Sequence, residues 1–195
     1  MVDELLAAPR RLAQAIRRVP ERLLHPSRHR DAHQQIGSRP RPRRILVVCH
    51  GNICRSPFAA LRLQALVEPL GVAVESAGFV GAGRPTPKEG IAAAQRFGVD
   101  LSEHRARVIT AKLALGVDLI VVMDARQAAA IRSILTTGVP VLVLGDCDPQ
   151  FAETRAIADP VMQPVEAFLE SYTRIDRCVR QLATMVRRGA ASRSR

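Results

Sequence analysis

The segment 45–57 restricts the fold of this chain more than any other; its sequence is Ile-Leu-Val-Val-Cys-His-Gly-Asn-Ile-Cys-Arg-Ser-Pro. An apolar run rich in β-branched residues ends at Cys49. Ser56 and Pro57 are typical of a helix start, because serine caps free N–H groups and proline fits the first helical position. The segment therefore predicts a buried strand, a tight loop and a helix, with the thiol of Cys49 and the guanidinium of Arg55 at the two ends of the loop.

A loop of this kind turns several backbone N–H groups toward one centre, beside the positive end of the helix dipole. Such a centre binds a tetrahedral oxyanion, which Arg55 can hold with two hydrogen bonds, and the same field favours a thiolate at Cys49. We therefore predict that Cys49 is a nucleophile that forms a cysteinyl-phosphate. The predicted phosphate-binding residues are His50, Gly51, Asn52, Ile53, Cys54, Arg55 and Ser56.

Metal and nucleotide sites fit the loop less well. Cys49 and Cys54 lack a second pair at metal-ligand spacing, since Cys147 and Cys178 are distant and single. An iron–sulfur loop would need another cysteine near Pro57, and a Walker-type loop would need a following Gly-Lys-Ser/Thr. We expect neither a metal nor a cofactor. Two buried structural cysteines at a strand end remain the alternative.

Residues 48–57 resemble the phosphate-binding loop of the low-molecular-weight protein tyrosine phosphatases, and the resemblance covers about residues 44–187. Its other motifs, in family order, are Ser76-Ala77-Gly78, Gly83-Arg84-Pro85, His104-Arg105-Ala106-Arg107, Asp118 to Asp124 and Asp159-Pro160. The resemblance implies a cysteine-dependent phosphatase that hydrolyses phosphate monoesters. It implies protein phosphotyrosine as the expected substrate.

The resemblance also implies roles for residues whose own patterns are ordinary. Asp159 would protonate the leaving oxygen and then deprotonate the attacking water, although an aspartate before a proline is by itself as typical of a turn. Ser56 would bond to the thiolate. Asn52, in a loop position that favours a positive φ, would be supported by Ser76 and His104.

Cys54 has two possible roles. It could form a reversible disulfide with Cys49, because neighbouring thiols in one loop are placed for it. Otherwise it is a small buried apolar residue.

The chain departs from the family beside the proposed acid. Val161 and Met162 follow Asp159-Pro160, where tyrosine phosphatases place aromatic residues. A small phosphorylated metabolite or sugar is therefore the competing substrate class. An arsenate reductase is disfavoured because no cysteine lies between residues 56 and 146. A non-catalytic anion-binding module is the non-enzymatic alternative. It is disfavoured because anion binding alone needs neither the thiol of Cys49 nor Asp159.

Apolar runs that alternate with helical patterns predict an α/β fold, with a central four-stranded parallel sheet in a three-layer α/β/α arrangement. Ligands of such sheets bind at the carboxyl ends of the strands, where the loop after Cys49 begins. The predicted strands are 45–49, 72–75, 118–123 and 139–144, and the predicted helices are 56–69, 88–97, 125–135 and 166–186.

The net charge of +11 is confined to the two ends of the chain. Residues 1–44 hold eleven arginines against four acidic residues, and residues 187–195 hold four arginines and no acid. Residues 45–186 are balanced, with fourteen basic and fourteen acidic residues. Because the balanced part has no basic stripe with interleaved aromatic residues, we expect no nucleic-acid binding.

We therefore divide the chain into a basic extension (1–43), a catalytic domain (44–187) and a basic tail (188–195). The extension is expected to be partly helical or disordered. An apolar stripe at helical spacing begins it, and residues 25–44 are predicted as a linker. The stripe comprises Leu5, Leu12, Ile16, Val19 and Leu23.

A basic amphipathic segment of this kind predicts peripheral contact with an anionic membrane or an acidic partner. Four cysteines without a disulfide framework favour a cytoplasmic location. No apolar stretch is long enough for a membrane span, and no signal sequence is evident.

Overall fold

The structure is a computed structural model that describes residues 23–134 and 138–191. Four strands and six α-helices form in these residues. In chain order they are α1 (23–37), β1 (Arg44–Cys49), α2 (Arg55–Val67), β2 (Ala73–Gly78), α3 (Lys88–Gln95), α4 (Ala111–Leu115), β3 (Leu119–Val122), α5 (Ala125–Ile134), β4 (Val141–Val143) and α6 (Val165–Ala191).

The four strands form one parallel sheet in the order β2-β1-β3-β4. The chain leaves β1 toward β2 on one side and later returns to β3 on the other side. The carboxyl end of β1 is therefore the point where the strand order reverses, and ligands of open parallel sheets bind at such points. The predicted fold class is confirmed, and the predicted loop lies at this point.

Both faces of the sheet are covered, because alternate residues of a strand point to opposite faces. Ile45 and Val47 belong to the core cluster beneath α2 and α6, whereas Leu46 and Val48 belong to the cluster beneath α4 and α5. All four side chains are buried. The continuous apolar run of β1 thus matches a strand buried on both faces.

The elements differ from the predicted ones mainly at their ends. The predicted fourth strand, 139–144, is reduced to Val141–Val143 and continues into a 3₁₀ turn. The helix α4 was not predicted, since five residues are too few to show a period; Thr110 caps it by accepting the N–H of Leu113 at 3.2 Å. The last helix extends past the predicted end to Ala191. No helix in the described part of the chain is long and apolar enough to cross a bilayer.

The prediction of a linker over 25–44 is wrong for residues 25–37, which lie in α1. Ala32 and Ile36 of this helix are buried in the core cluster that contains α6. The amide of Gln181 on α6 donates to Nε2 of His33 at 3.1 Å. Pro26 lies within the described part of this helix.

Most of the predicted N-terminal amphipathic segment lies outside the described residues. Of its apolar stripe only Leu23 is described, and 74% of that residue is exposed. The described part of the extension is thus a helix packed on the body.

Candidate active site

The loop between β1 and α2 begins at a buried cysteine. Sγ of Cys49 lies 3.0 Å from Oγ of Ser56, which also lies within hydrogen-bond distance of the carbonyl of Ala77. When Cys49 is a thiolate, only the hydroxyl can donate, so Ser56 is placed to stabilise the negative sulfur. The two residues are brought together as the resemblance implied.

The predicted helix cap is wrong in detail. The helix α2 begins at Arg55, so Ser56 is its second residue and Cys54 occupies the cap position. No side chain caps this helix. The first N–H groups of α2 are therefore not bonded to a capping side chain, which suits the binding of an anion at this end.

Asn52 links the loop to its surroundings. Its φ of 52° is the left-handed conformation expected for it. Its Nδ2 donates to Ser56 Oγ and to Ser76 Oγ, both at 2.9 Å, and its Oδ1 accepts the backbone N–H of Arg107 at 2.9 Å. His104 Nε2 donates to the Asn52 carbonyl at 2.7 Å.

The bond from His104 requires a proton on its Nε2, and burial favours the neutral ring that carries one. Burial lowers the pKa of His104 below its usual value, and the neighbouring Arg105 and Arg107 act in the same direction. Asn52, Ser76 and His104 thus form one connected network, as the resemblance implied. The bond from Arg107 had no signal in the sequence, because it joins a loop to a backbone group 55 residues away.

Arg55 is only 4% exposed and has polar partners on two sides. Its Nη1 donates to the carbonyl of Ile157 at 3.1 Å, and its Nη2 is paired with Oδ2 of Asp159. Its Nε is buried and has no hydrogen-bond partner among the described residues. An unbonded buried donor is costly, so this group fits a bound oxyanion.

These groups share one small cavity of about 60 Å³. Its lining residues are Cys49, His50, Gly51, Ile53, Cys54, Arg55, Arg84, Asp159 and Val161. Asn52 and Ser56, predicted to bind phosphate, do not line the cavity and support its loop through the bonds described above. The cavity leaves room for a phosphoryl group and little more, so the rest of a substrate would lie outside it.

The side of the cavity next to Asp159 is apolar but not aromatic. Val161 is partly buried against the core, and Met162, with a φ of 60°, is 95% exposed. Phe79 packs against the core cluster on the other face of the sheet and does not line the cavity. The structure therefore offers little aromatic surface at the mouth, as the sequence predicted.

Cys54 is a buried thiol. Burial raises its pKa to about 12, with a further contribution from Asp159, while the charges of Arg55 and Arg84 act in the opposite direction. Cys54 is thus a protonated thiol at neutral pH, and all four cysteines are free. Its reversible disulfide with Cys49 stays a prediction. Residues 23–134 and 138–191 contain no group of His, Cys, Asp and Glu side chains that could hold a metal ion.

Tyr172 of α6 contacts the loop between β1 and α2, and the sequence did not predict this role. Its hydroxyl donates to the carbonyl of Cys54 at 3.3 Å, and its ring stacks on Phe58 with centroids 4.0 Å apart. Burial raises the pKa of Tyr172 above its usual value, so it stays a donor. A tyrosine on the buried face of a helix has no local signal that distinguishes such a role from core packing.

Several known proteins have sequences similar to that of this chain. The model of the low molecular weight phosphotyrosine protein phosphatase family matches residues 44–192. The chain is 44% identical over 140 residues to the probable low molecular weight protein-tyrosine-phosphatase EpsP of Ralstonia nicotianae, covering 69% of this chain and 90% of EpsP. It is 37% identical over 142 residues to the low molecular weight protein-tyrosine-phosphatase Wzb of Salmonella typhi, covering 72% and 91%.

Solved structures show the same fold. The structure of Vibrio vulnificus Wzb in complex with benzylphosphonate has a TM-score of 0.64 and 32% identity, and the match covers 72% of this chain and 97% of that one. The YwlE arginine phosphatase of Geobacillus stearothermophilus has a TM-score of 0.69 at 23% identity, covering 78% and 97%. At 23% identity, the similarity to YwlE shows a shared fold and nothing more.

Proposed function

The chain belongs to the low molecular weight phosphotyrosine protein phosphatase family, whose members are cysteine-dependent phosphatases, and we propose that its substrate is protein phosphotyrosine. One observation carries the assignment of the site. The unbonded Nε of the buried Arg55 belongs to a residue that lines one 60 Å³ cavity together with Cys49 and Asp159. An anion-binding donor, a thiol and a carboxylate are the three groups that this hydrolysis requires.

In the first step Cys49 Sγ attacks phosphorus, and the bond between phosphorus and the tyrosyl oxygen breaks. The leaving oxygen takes a proton from Asp159, and the phosphoryl group is left on sulfur. Arg55 and the backbone N–H groups of residues 50–55 stabilise the charge on the three equatorial oxygens.

In the second step a water molecule gives a proton to Asp159 as its oxygen attacks phosphorus. The bond between phosphorus and sulfur breaks, phosphate leaves and the thiolate is restored. The hydroxyl of Ser56, 3.0 Å from Sγ, stabilises that thiolate. Asp159 is thus acid in one step and base in the other.

Ser76 and His104 act as supports. Both bond to Asn52, whose side chain also bonds to Ser56. They hold the loop in the conformation that turns its N–H groups to one centre, and they take no part in the proton transfers.

Phosphotyrosine is favoured because the cavity of about 60 Å³ holds little more than a phosphoryl group. The tyrosine side chain keeps the peptide backbone farther from its phosphorus atom than the short side chain of serine does. The names of the relatives agree with a phosphotyrosine substrate. A small phosphorylated metabolite or sugar is the second candidate, because Val161, which follows Asp159-Pro160 and lines the cavity, has no aromatic ring.

Comparison of substrates on the purified protein tests the proposal. We expect hydrolysis of p-nitrophenyl phosphate and a kcat/KM for a phosphotyrosine peptide well above those for a phosphoserine peptide and a sugar phosphate. A higher kcat/KM for the sugar phosphate would establish the second candidate. Inactivity toward all four, with a folded protein, would reject a phosphatase.

We also propose that the protein is cytoplasmic and that its extension contacts an anionic membrane or an acidic partner. Four cysteines, all free, suit a reducing compartment.

The segment 1–22 combines an apolar stripe with five arginines. Because α1 is part of the packed body, the deletion that tests this role is restricted to residues 1–22. Sedimentation with anionic vesicles should weaken on this deletion and with added salt; equal sedimentation of both proteins would reject a role for the segment.

A further inference from the structure

Arg84 lies in the loop after β2, and two glycines make room for its guanidinium. A Cβ added at Gly51 would lie 2.6 Å from Arg84 Nη2, and one added at Gly81 would lie 2.1 Å from Arg84 Nε. Gly81 also has a φ of +77°, which favours glycine. The Arg84 side chain thus packs against the backbone of two loops, the phosphate-binding loop and the loop after β2.

No carboxylate of residues 23–134 and 138–191 forms an ion pair with Arg84. Its Nε donates to the Gly81 carbonyl at 3.2 Å and its Nη2 lies 3.5 Å from the Gly51 carbonyl. None of the ion pairs among the described residues includes Arg84, whereas Arg55, Arg107 and other arginines of the domain are paired with acids. A guanidinium has five N–H groups, so Arg84 keeps donors for a further acceptor.

Arg84 is an exposed residue that also lines the cavity with Cys49 and Arg55. Arg84 therefore lies at the rim of the phosphate site. Val161 and Asp159 also line the cavity. A substrate whose phosphate is on Arg55 would thus have the guanidinium of Arg84 beside it at the cavity rim.

We infer that Arg84 forms an anion subsite beside the phosphate cavity, which binds a second acidic group that the substrate carries close to its phosphate ester. The group is a carboxylate of a neighbouring residue in a phosphopeptide or a second phosphate. This inference rests on the proposed function. A guanidinium provides planar, charge-assisted hydrogen bonds to either group.

The test compares kcat/KM for three phosphotyrosine peptides of equal length. One has aspartate on both sides of the phosphotyrosine, one has alanine there, and one has alanine and a second phosphotyrosine. The variant is Arg84→Gln. Its control is Arg126→Gln, which removes the same charge from an exposed residue of α5 that does not line the cavity.

We expect the wild type to prefer the aspartate peptide or the doubly phosphorylated peptide over the alanine peptide by about three- to tenfold, the range for one partly exposed charge pair. Arg84→Gln should bring that ratio close to one, mainly through KM, and Arg126→Gln should preserve it. The peptide whose preference depends on Arg84 identifies the acidic group.

Equal kcat/KM for all peptides in the wild type would overturn the subsite, and so would a preference that Arg84→Gln retains. In both cases turnover of the alanine peptide would leave the proposed function intact. No turnover of any peptide would reject the proposed function itself.

Discussion

The guanidinium of Arg55 is bonded to the carboxylate of Asp159, 104 residues later in the chain. The pair places the anion-binding group and the carboxyl group of the site in one cavity. A phosphoryl group that binds Arg55 competes with Asp159 for Nη2. The bound substrate would therefore release the carboxyl group from this bond and leave it free for the leaving oxygen.

Removal of that competition should tighten the binding of inorganic phosphate. We expect Asp159→Ala to bind phosphate more strongly than the wild type at neutral pH, because Arg55 loses its internal partner and the anion loses a neighbouring negative charge. Competitive inhibition or calorimetric titration measures the change. As a control, Asp124→Ala removes an acid that does not line the cavity and should leave phosphate affinity unchanged. Weaker binding to Asp159→Ala would contradict the competition.

Asp159 should matter most for poor leaving groups. Asp159→Asn should reduce kcat for an unactivated aryl phosphate by about 10²–10⁴-fold, the usual contribution of general acid catalysis. The loss should be smaller for p-nitrophenyl phosphate, whose leaving group is a stable anion without a proton. Steady-state kinetics on a series of aryl phosphates measures the dependence. An equal loss for every leaving group would indicate a structural role for the Asp159-Pro160 loop.

Cys49→Ser should abolish turnover of aryl phosphates and preserve the binding of phosphate, because a hydroxyl is a poor nucleophile here while the N–H groups of the loop remain. Arg55→Lys should also be severe, since an ammonium cannot replace the planar fork. Cys178→Ser is the matched control, because that buried thiol lies on α6 and does not line the cavity. Near wild-type turnover by Cys49→Ser would disprove the proposed nucleophile.

The helix α1 should contribute to stability and not to chemistry. Ile36→Ala should lower the free energy of unfolding by about 2–4 kcal/mol, as expected for truncating a buried aliphatic side chain, since Ile36 is 5% exposed. Leu23→Ala, in the same helix but 74% exposed, should change it by no more than about 0.5 kcal/mol. Urea unfolding measures both. Equal, small effects would mean that α1 does not pack on α6 in solution, whereas a lower kcat for p-nitrophenyl phosphate in folded Ile36→Ala would connect α1 to the site.

The contact between α1 and α6 should make stability depend on pH. Burial lowers the pKa of His33, and the neighbouring His29 and Arg188 lower it further. The unfolded chain then binds a proton at a higher pH than the folded one, so this stabilisation is present above the ordinary histidine pKa of about 6.5 and is lost as the pH falls through the folded-state value.

His33→Gln should therefore lose less stability than the wild type between pH 7.5 and pH 5.5, as measured by urea midpoints. Part of the dependence should remain, because the pKa of His104 is lowered in the same direction. The carboxylates with lowered pKa values lose their stabilisation only at lower pH; they are Glu75, Asp100, Asp148 and Asp176. The same pH dependence in variant and wild type would contradict the assignment to His33.

Local order was the part of the molecule that the sequence determined most completely. The run from Ile45 to Cys49 is apolar at every position, and such a run is stable only in a strand that is covered on both faces. The residues that follow it predicted the loop, the helix and the phosphate site. The predictions of strand, loop and helix succeeded because these elements are set by neighbours a few residues apart, while the phosphate site stays a prediction.

The sequence was a poorer guide to residues that act across the chain. Asp159 was identified only through a family resemblance, because an aspartate before a proline is common in turns. Tyr172 was missed, since a buried tyrosine on a helix has the pattern of any core residue. Ser56 was predicted to cap α2, but the helix begins at Arg55, so Cys54, two residues earlier, occupies the cap position.

Only the tertiary structure decided which distant groups meet. Three contacts join segments that are far apart in the chain. They are the pair of Arg55 with Asp159, the bond from Tyr172 to the Cys54 carbonyl, and the placement of the Arg84 side chain against Gly51 and Gly81. The packing of α1 on α6 is another contact of this kind. The many arginines and histidines of α1 favoured a linker, whereas Ala32 and Ile36 of the helix are buried in the core. Propensity and periodicity act within a few residues, whereas these contacts depend on how the sheet orders its strands and where each helix crosses it.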